Sequence, residues 1–115
     1  MKYLLILFVA LSILSCRKTN NAIPGVSACT QSLIDSALSK PKGLLFVSVD
    51  AYQYNGATVY LYNAGCCDGY NDLRDENCTY LFSPSGGLVG CGDCNHKNFF
   101  NEAHFIKTVW VDPSP

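Results

Sequence analysis

Residues 44–62, LLFVSVDAYQYNGATVYLY, read as two β-strands folded back on each other. The stretch is dense in β-branched and aromatic residues, which suit a pleated surface. Asn55-Gly56 in its middle is the dipeptide that most readily takes the left-handed backbone of a tight hairpin. Two registers compete. A two-residue loop would set Tyr52 opposite Val59 and Ala51 opposite Tyr60, mixing apolar and polar side chains on both faces. A three-residue loop, Tyr54-Asn55-Gly56, sets Ala51 opposite Val59 and Val49 opposite Leu61. It gathers Val47, Val49, Ala51, Val59 and Leu61 on one face and leaves Ser48, Asp50, Tyr52, Thr58, Tyr60 and Tyr62 on the other. One consistent core face favours the three-residue loop. Tyr52, Tyr60 and Tyr62 then form a possible binding face, since tyrosine combines large contact area with few rotors. The competing reading is that another part of the chain folds over these rings as a second small core.

Outward from the hairpin, Ser27 is placed to cap a helix running to about Ser39. Cys29, Leu33, Ile34, Ala37 and Leu38 recur on one side of it. Lys40 suits the negative end of that helix, and Pro41 with Gly43 stops it. The periodicity turns Cys29 inward, toward the sheet. After the hairpin, residues 63–77 read as a polar loop, residues 78–82 as a short strand, and Pro84-Ser85-Gly86-Gly87 as a turn. Residues 90–98 read as another loop and residues 105–111 as a last strand ended by Asp112-Pro113. The expected fold is α+β: one N-terminal helix packed on a small antiparallel sheet of about four strands.

The start of the chain carries an address. Met1-Lys2 is basic, Leu4 to Ile13 is almost unbroken apolar sequence, and Ile13-Leu14-Ser15-Cys16 closes it. This pattern reads as a lipoprotein signal peptide over residues 1–15, with Cys16 receiving the lipid. The apolar run is shorter than the about 20 residues a membrane-spanning helix needs. Residues 16–27 then serve as the lipidated cysteine and its tether, and residues 28–113 as a single domain. Cleavage of 15 residues from the 115 leaves 100, enough for one domain. The mature part holds seven basic and nine acidic residues, a net charge of −2, which argues against nucleic acid as a partner. The expected location is the cell envelope, lipid-anchored. Arg17-Lys18 stand where surface-exported lipoproteins of this kind carry acidic residues, so the periplasmic side is favoured over the cell surface.

Six cysteines remain beside Cys16: Cys29, Cys66, Cys67, Cys78, Cys91 and Cys94. An even count in a short exported domain reads as a disulfide framework, and six cysteines allow 15 pairings. Cys66 and Cys67 are expected to reach two different partners, stitching the end of the hairpin to separate elements. Cys91-Gly92-Asp93-Cys94 has redox-motif spacing, but no long helix follows it to lower a thiol pKa, and structural bridging is preferred. With His96 and His104 the cysteines are candidate zinc ligands, yet adjacent Cys66-Cys67 cannot form the usual knuckle and oxidising surroundings favour bridges. Asp68, Asp72, Asp75 and Glu76 lack the spacing of a calcium loop. No nucleophile motif stands out, and no catalytic, metal or cofactor residue is assigned.

Val59-Tyr60, Cys66-Cys67-Asp68, Leu73, Ser83-Pro84-Ser85-Gly86-Gly87, Gly90 and Gly92-Asp93 together resemble a family of small cysteine-rich lipoproteins from Bacteroidota with no assigned function. The likeness runs from about Cys29 to Pro113 and includes the Trp110…Asp112-Pro113 ending. Phe82 replaces a cysteine expected before the Pro-x-Gly-Gly turn, and Cys94 comes early. The resemblance implies a location and a style of fold, and no chemistry.

Three functions fit this sequence. The first is a non-enzymatic envelope lipoprotein that binds a protein or glycan through the tyrosine face or the Gly86–His96 loop. The second is an inhibitor-like module that presents a disulfide-bridged loop around residues 87–94. The third is a redox or metal-handling protein using Cys91 and Cys94.

Overall fold

The computed structural model describes residues 22–114. The expected signal peptide and lipidated Cys16 lie outside the described residues. Helix α1, Ala28–Leu38, starts where Ser27 Oγ accepts a hydrogen bond from the Thr30 amide at 3.2 Å. Thr30, Ile34 and Ala37 are its buried residues, a stripe with the three-to-four-residue step of one helix face. Gly43, with φ of 80°, then turns the chain toward the sheet.

Five strands complete the sheet: β1 Ser48–Tyr54, β2 Ala57–Asn63, β3 Tyr70–Arg74, β4 Tyr80–Gly86 and β5 His104–Val111. A short helix, α2 at Phe99–Glu102, lies between β4 and β5. The sheet order is β4-β3-β2-β1-β5 and every strand pairing is antiparallel. The expected architecture therefore holds in outline, with one strand more and a larger share of β structure. The additional strand is β3, inside the stretch expected to be a polar loop. Only Leu73 of its five residues is buried, so no alternation announces it. Leu73 sits opposite Leu61 and is wholly buried, the one side chain of β3 that enters the core.

The hairpin takes the two-residue loop, contrary to the three-residue register expected. Tyr52 pairs with Val59 and Ala51 with Tyr60, and Asn55 and Gly56 take φ of 50° and 79°. The reason is that both faces of the sheet are covered, so both need apolar residues. On one face Val49, Ala51, Tyr60 and Tyr62 pack with Ile34, Ala37, Phe46 and Val109 beneath α1. On the other, Val59, Leu61, Leu73 and Phe82 pack with Phe99 and Ala103, flanked by Tyr52 and Tyr54. The mixed pattern that argued against this register is the signature of a sheet with two cores.

The tyrosine face is corrected with it. Tyr60 and Tyr62 are 1% and 4% exposed and belong to the α1 core, whereas Tyr52 lies on the opposite face against Phe99 and Phe105. Their phenol heads are satisfied inside: Tyr62 donates to Thr30 Oγ1 at 3.0 Å and Tyr60 to the Gly25 carbonyl at 3.3 Å. Burial raises the Tyr62 phenol above its ordinary pKa, with the Thr30 hydrogen bond opposing that shift. The Gly25 contact, together with Ile23 and Val26 packed on the same core, places residues 22–27 of the expected tether against the domain.

Sulfur pairing follows the fold. Cys29 bonds Cys78 across 49 residues, tying the first turn of α1 to the β3–β4 turn. Cys91 bonds Cys94. Cys66 and Cys67 bond each other in the exposed β2–β3 loop, with Cys67 at φ of 67°, where two separate partners were expected. Among the described residues the other four sulfurs are paired in the two remaining bridges. Both sheet edges are irregular. β5 is shifted twice against β1, and β4 carries Pro84 and two shifts against β3, features that discourage pairing with another strand.

Candidate functional site, the loop between β4 and α2

The segment from Gly86 to Asn98 doubles back along the outer edge of β4 and brings His96 against Phe82 of the second core. Gly86 and Gly87 leave β4 with φ of 82° and 76°. A Cβ on Gly86 would crowd the Gly69 carbonyl and come within 2.9 Å of the Asn71 amide, so the chain passes where only glycine fits. The Gly87 amide bonds the Gly69 carbonyl at 3.0 Å and the Gly90 amide bonds the Gly87 carbonyl at 3.2 Å, closing a turn. Leu88 and Val89 occupy its tip, each 83% exposed, the most exposed large apolar side chains among the described residues.

The returning limb is fixed by backbone. Gly92 N–H donates to the Gly86 carbonyl at 2.9 Å, and Asp93 N–H donates to the Ser83 carbonyl at 2.8 Å. Gly92 lies directly on Ser83, with φ of 61° and no room for a Cβ, which would also meet the Ser85 amide at 2.6 Å. The Cys91–Cys94 bridge and a 2.9 Å bond from the Cys94 amide to the Cys91 carbonyl close the next turn. Asp93 then organises the residues that lead into α2. One carboxylate oxygen accepts from the Asn95 amide at 2.9 Å, and the other meets His96 Nδ1 at 2.9 Å. Lost hydration pushes the Asp93 carboxyl up, but the Asn95 and His96 hydrogen bonds outweigh it and hold the group below its usual range. The His96 ring stacks on Phe82, centroids 3.8 Å apart and planes within 9°. Phe99, the first residue of α2, plugs the second core. A cleft of about 500 Å³ opens beside this segment, and Tyr54, Cys94, His96, Lys97 and Glu102 are among the residues that line it.

The other candidates disperse. Asp72 accepts from Ser83 and lies 3.7 Å from Arg74, while Asp75 accepts the Asn77 and Thr79 amides and so builds the β3–β4 turn. Cys78 is held by Cys29, and His104 opens β5. Among the described residues no group of three or more metal-ligating side chains gathers. A second cleft of about 470 Å³ is lined in part by Ser48, Asp50 and Thr108. These three are already engaged: Thr108 donates to Asp50 at 2.6 Å, and Asn63 donates to both Asp50 and Ser48. Sequence patterns alone underrate the Asp93–His96–Phe82 arrangement. The Asp-x-x-His spacing is visible in the chain, but its stacking partner comes from another strand.

A family model described as a domain of unknown function, DUF6970, matches residues 35–112, from the middle of α1 to just past the end of β5. No curated protein and no solved structure matches the chain.

Proposed function

We propose that this chain, which belongs to the DUF6970 family of unknown function, is a non-enzymatic binding module tethered to the cell envelope. Its recognition element is the Gly86–Cys94 loop, and its partner is a protein. The observation that carries this reading is the exposed Leu88-Val89 tip on a base held by three backbone hydrogen bonds and a sulfur bridge. Isolated exposed apolar residues need no explanation. An adjacent apolar pair on a preorganised loop does, because ordering such a loop costs little at the moment of binding. The apolar tip favours a protein surface over a glycan. Burial of Tyr60 and Tyr62 removes the competing surface. Lipid on Cys16, facing the periplasm, supplies the membrane attachment in this proposal, and the sequence pattern at residues 13–16 supports it.

A photo-crosslinking side chain placed at position 88 in native cells tests the reading, with the same group at exposed Gln53 as control. The expected result is a discrete crosslinked protein at 88 that is absent at 53 and is lost with Val89→Ser. Equal, diffuse labelling at both positions would refute it. Identification of that protein as an enzyme whose activity drops on binding would make the module an inhibitor.

A further inference from the structure

We propose that Cys91–Cys94 is an exchangeable disulfide that accepts electrons from the dithiol of another protein, while Cys29–Cys78 is structural. Span separates the two bridges. Cys29–Cys78 constrains 49 residues of the unfolded chain and ties a helix to a distant turn, whereas Cys91–Cys94 is separated by three. A crosslink that short restrains an unfolded chain about half as much in free energy, so opening it takes less from the stability of the domain.

Access separates them as well. Cys94 is exposed and lines the 500 Å³ cleft, where an incoming thiolate can approach its sulfur, while Cys91 is half-buried. His96 and Lys97 line the same cleft, and Lys97 brings positive charge to where thiolates arrive and leave. Nor does the loop need the bond to keep its place. The Gly92 and Asp93 backbone bonds, and the Asp93–His96 pair stacked on Phe82, fix the segment independently of sulfur. The Gly92 carbonyl lies 3.8 Å from Cys94 Sγ and is ready to accept the hydrogen of a free thiol. Both the bridged and the open forms fit this backbone.

In the exchange, a partner thiolate attacks Cys94 Sγ, the Cys91–Cys94 bond breaks, and Cys91 leaves as a thiolate and takes a proton. The partner's second thiolate then attacks its own sulfur in the mixed disulfide, releasing Cys94, which is protonated in turn. The partner loses two electrons and gains a disulfide. Cys91 and Cys94 gain the two electrons and end with the two protons the partner's thiols gave up.

The test uses the purified full chain in oxidised form with dithiothreitol as the dithiol, thiols being trapped by alkylation at timed intervals and mapped by mass spectrometry. Cys91 and Cys94 are expected to label at least about ten-fold faster than Cys29 and Cys78, with the near-ultraviolet circular dichroism unchanged. A Cys91→Ser, Cys94→Ser double variant should lose that fast phase, and a Cys66→Ser, Cys67→Ser variant should keep it. A Cys91→Ser single variant, offered a reduced unfolded protein with one native disulfide and an oxidant, should trap a mixed disulfide at Cys94. The proposal fails if Cys91 and Cys94 open only together with Cys29–Cys78, if their opening abolishes the tertiary signal, or if no mixed disulfide forms at Cys94. These readouts are independent of partner capture by Leu88, so either proposal can fall without the other.

Discussion

Removing the Cys29–Cys78 bridge by Cys29→Ser with Cys78→Ser should cost far more stability than removing either of the other two. Restraint of the unfolded chain grows with the logarithm of the closed loop. A separation of 49 residues corresponds to about 4 kcal/mol at 25 °C, a separation of three to about 2, and neighbouring residues to about 1. A domain of this size unfolds with an entropy that turns each kcal/mol into about 5 °C of melting temperature. The double variant should therefore melt about 20 °C lower, the Cys91/Cys94 variant about 10 °C lower and the Cys66/Cys67 variant about 5 °C lower. Thermal melts followed by circular dichroism at one protein concentration measure all three. Each of the six bridged cysteines is at least partly exposed, so little native packing disappears with any of them and the ordering reflects the unfolded chain. Three equal losses, or a larger loss for Cys91/Cys94 than for Cys29/Cys78, would show that native packing around sulfur governs stability and that restraint of the unfolded chain does not.

Gly92→Ala should destabilise the domain by at least about 2 kcal/mol, from the left-handed backbone it occupies and its contact with Ser83, and urea unfolding measures this. Tyr62→Phe should cost about 1 kcal/mol through the lost bond to Thr30, while Tyr60→Ser should cost roughly 3 kcal/mol or more as a core truncation. Chemical denaturation separates the two. Leu88→Ser with Val89→Ser should leave stability within about 0.5 kcal/mol, because neither side chain is buried, which a melting curve checks. The carboxyls of Asp93 and Asp112 are both held low, Asp112 by hydrogen bonds from Ser114. Their stabilisation is complete above about pH 4 and is lost as pH falls further. Asp93→Asn should flatten that acid-side decline without abolishing it, as melts at a series of pH values below neutrality would show.

Features with local causes are legible in the sequence. Ser27 and the buried stripe of α1 announce the helix, and Asn55-Gly56 announces the hairpin. The register is not legible by alternation, because alternation presumes a single dry face. A strand between two cores has no polar side, so Tyr60 and Val59, adjacent in sequence, both end up buried. β3 escapes because Leu73 alone carries it. The site is partly legible: Gly86, Gly87 and Gly92 mark tight backbone, and the Gly86–His96 loop stands out as a recognition candidate. Its staging is not, because Phe82 beneath His96 and Ser83 beneath Gly92 are contacts between segments that no spacing rule connects. The Cys29–Cys78 bridge is hidden for the same reason, since it joins residues 49 apart that only the folded chain brings together.

The bond between Cys29 and Cys78 also decides how the molecule would yield to a pull. Traction applied ahead of residue 22 would first strip Ile23 and Val26 from their seats and break the Gly25 contact with Tyr60. At Cys29 the load leaves the main chain and passes through sulfur into the bend between β3 and β4, bypassing the whole of α1. The helix is thus spared from unzipping turn by turn, and the domain behaves under tension as a bead with a short peelable collar.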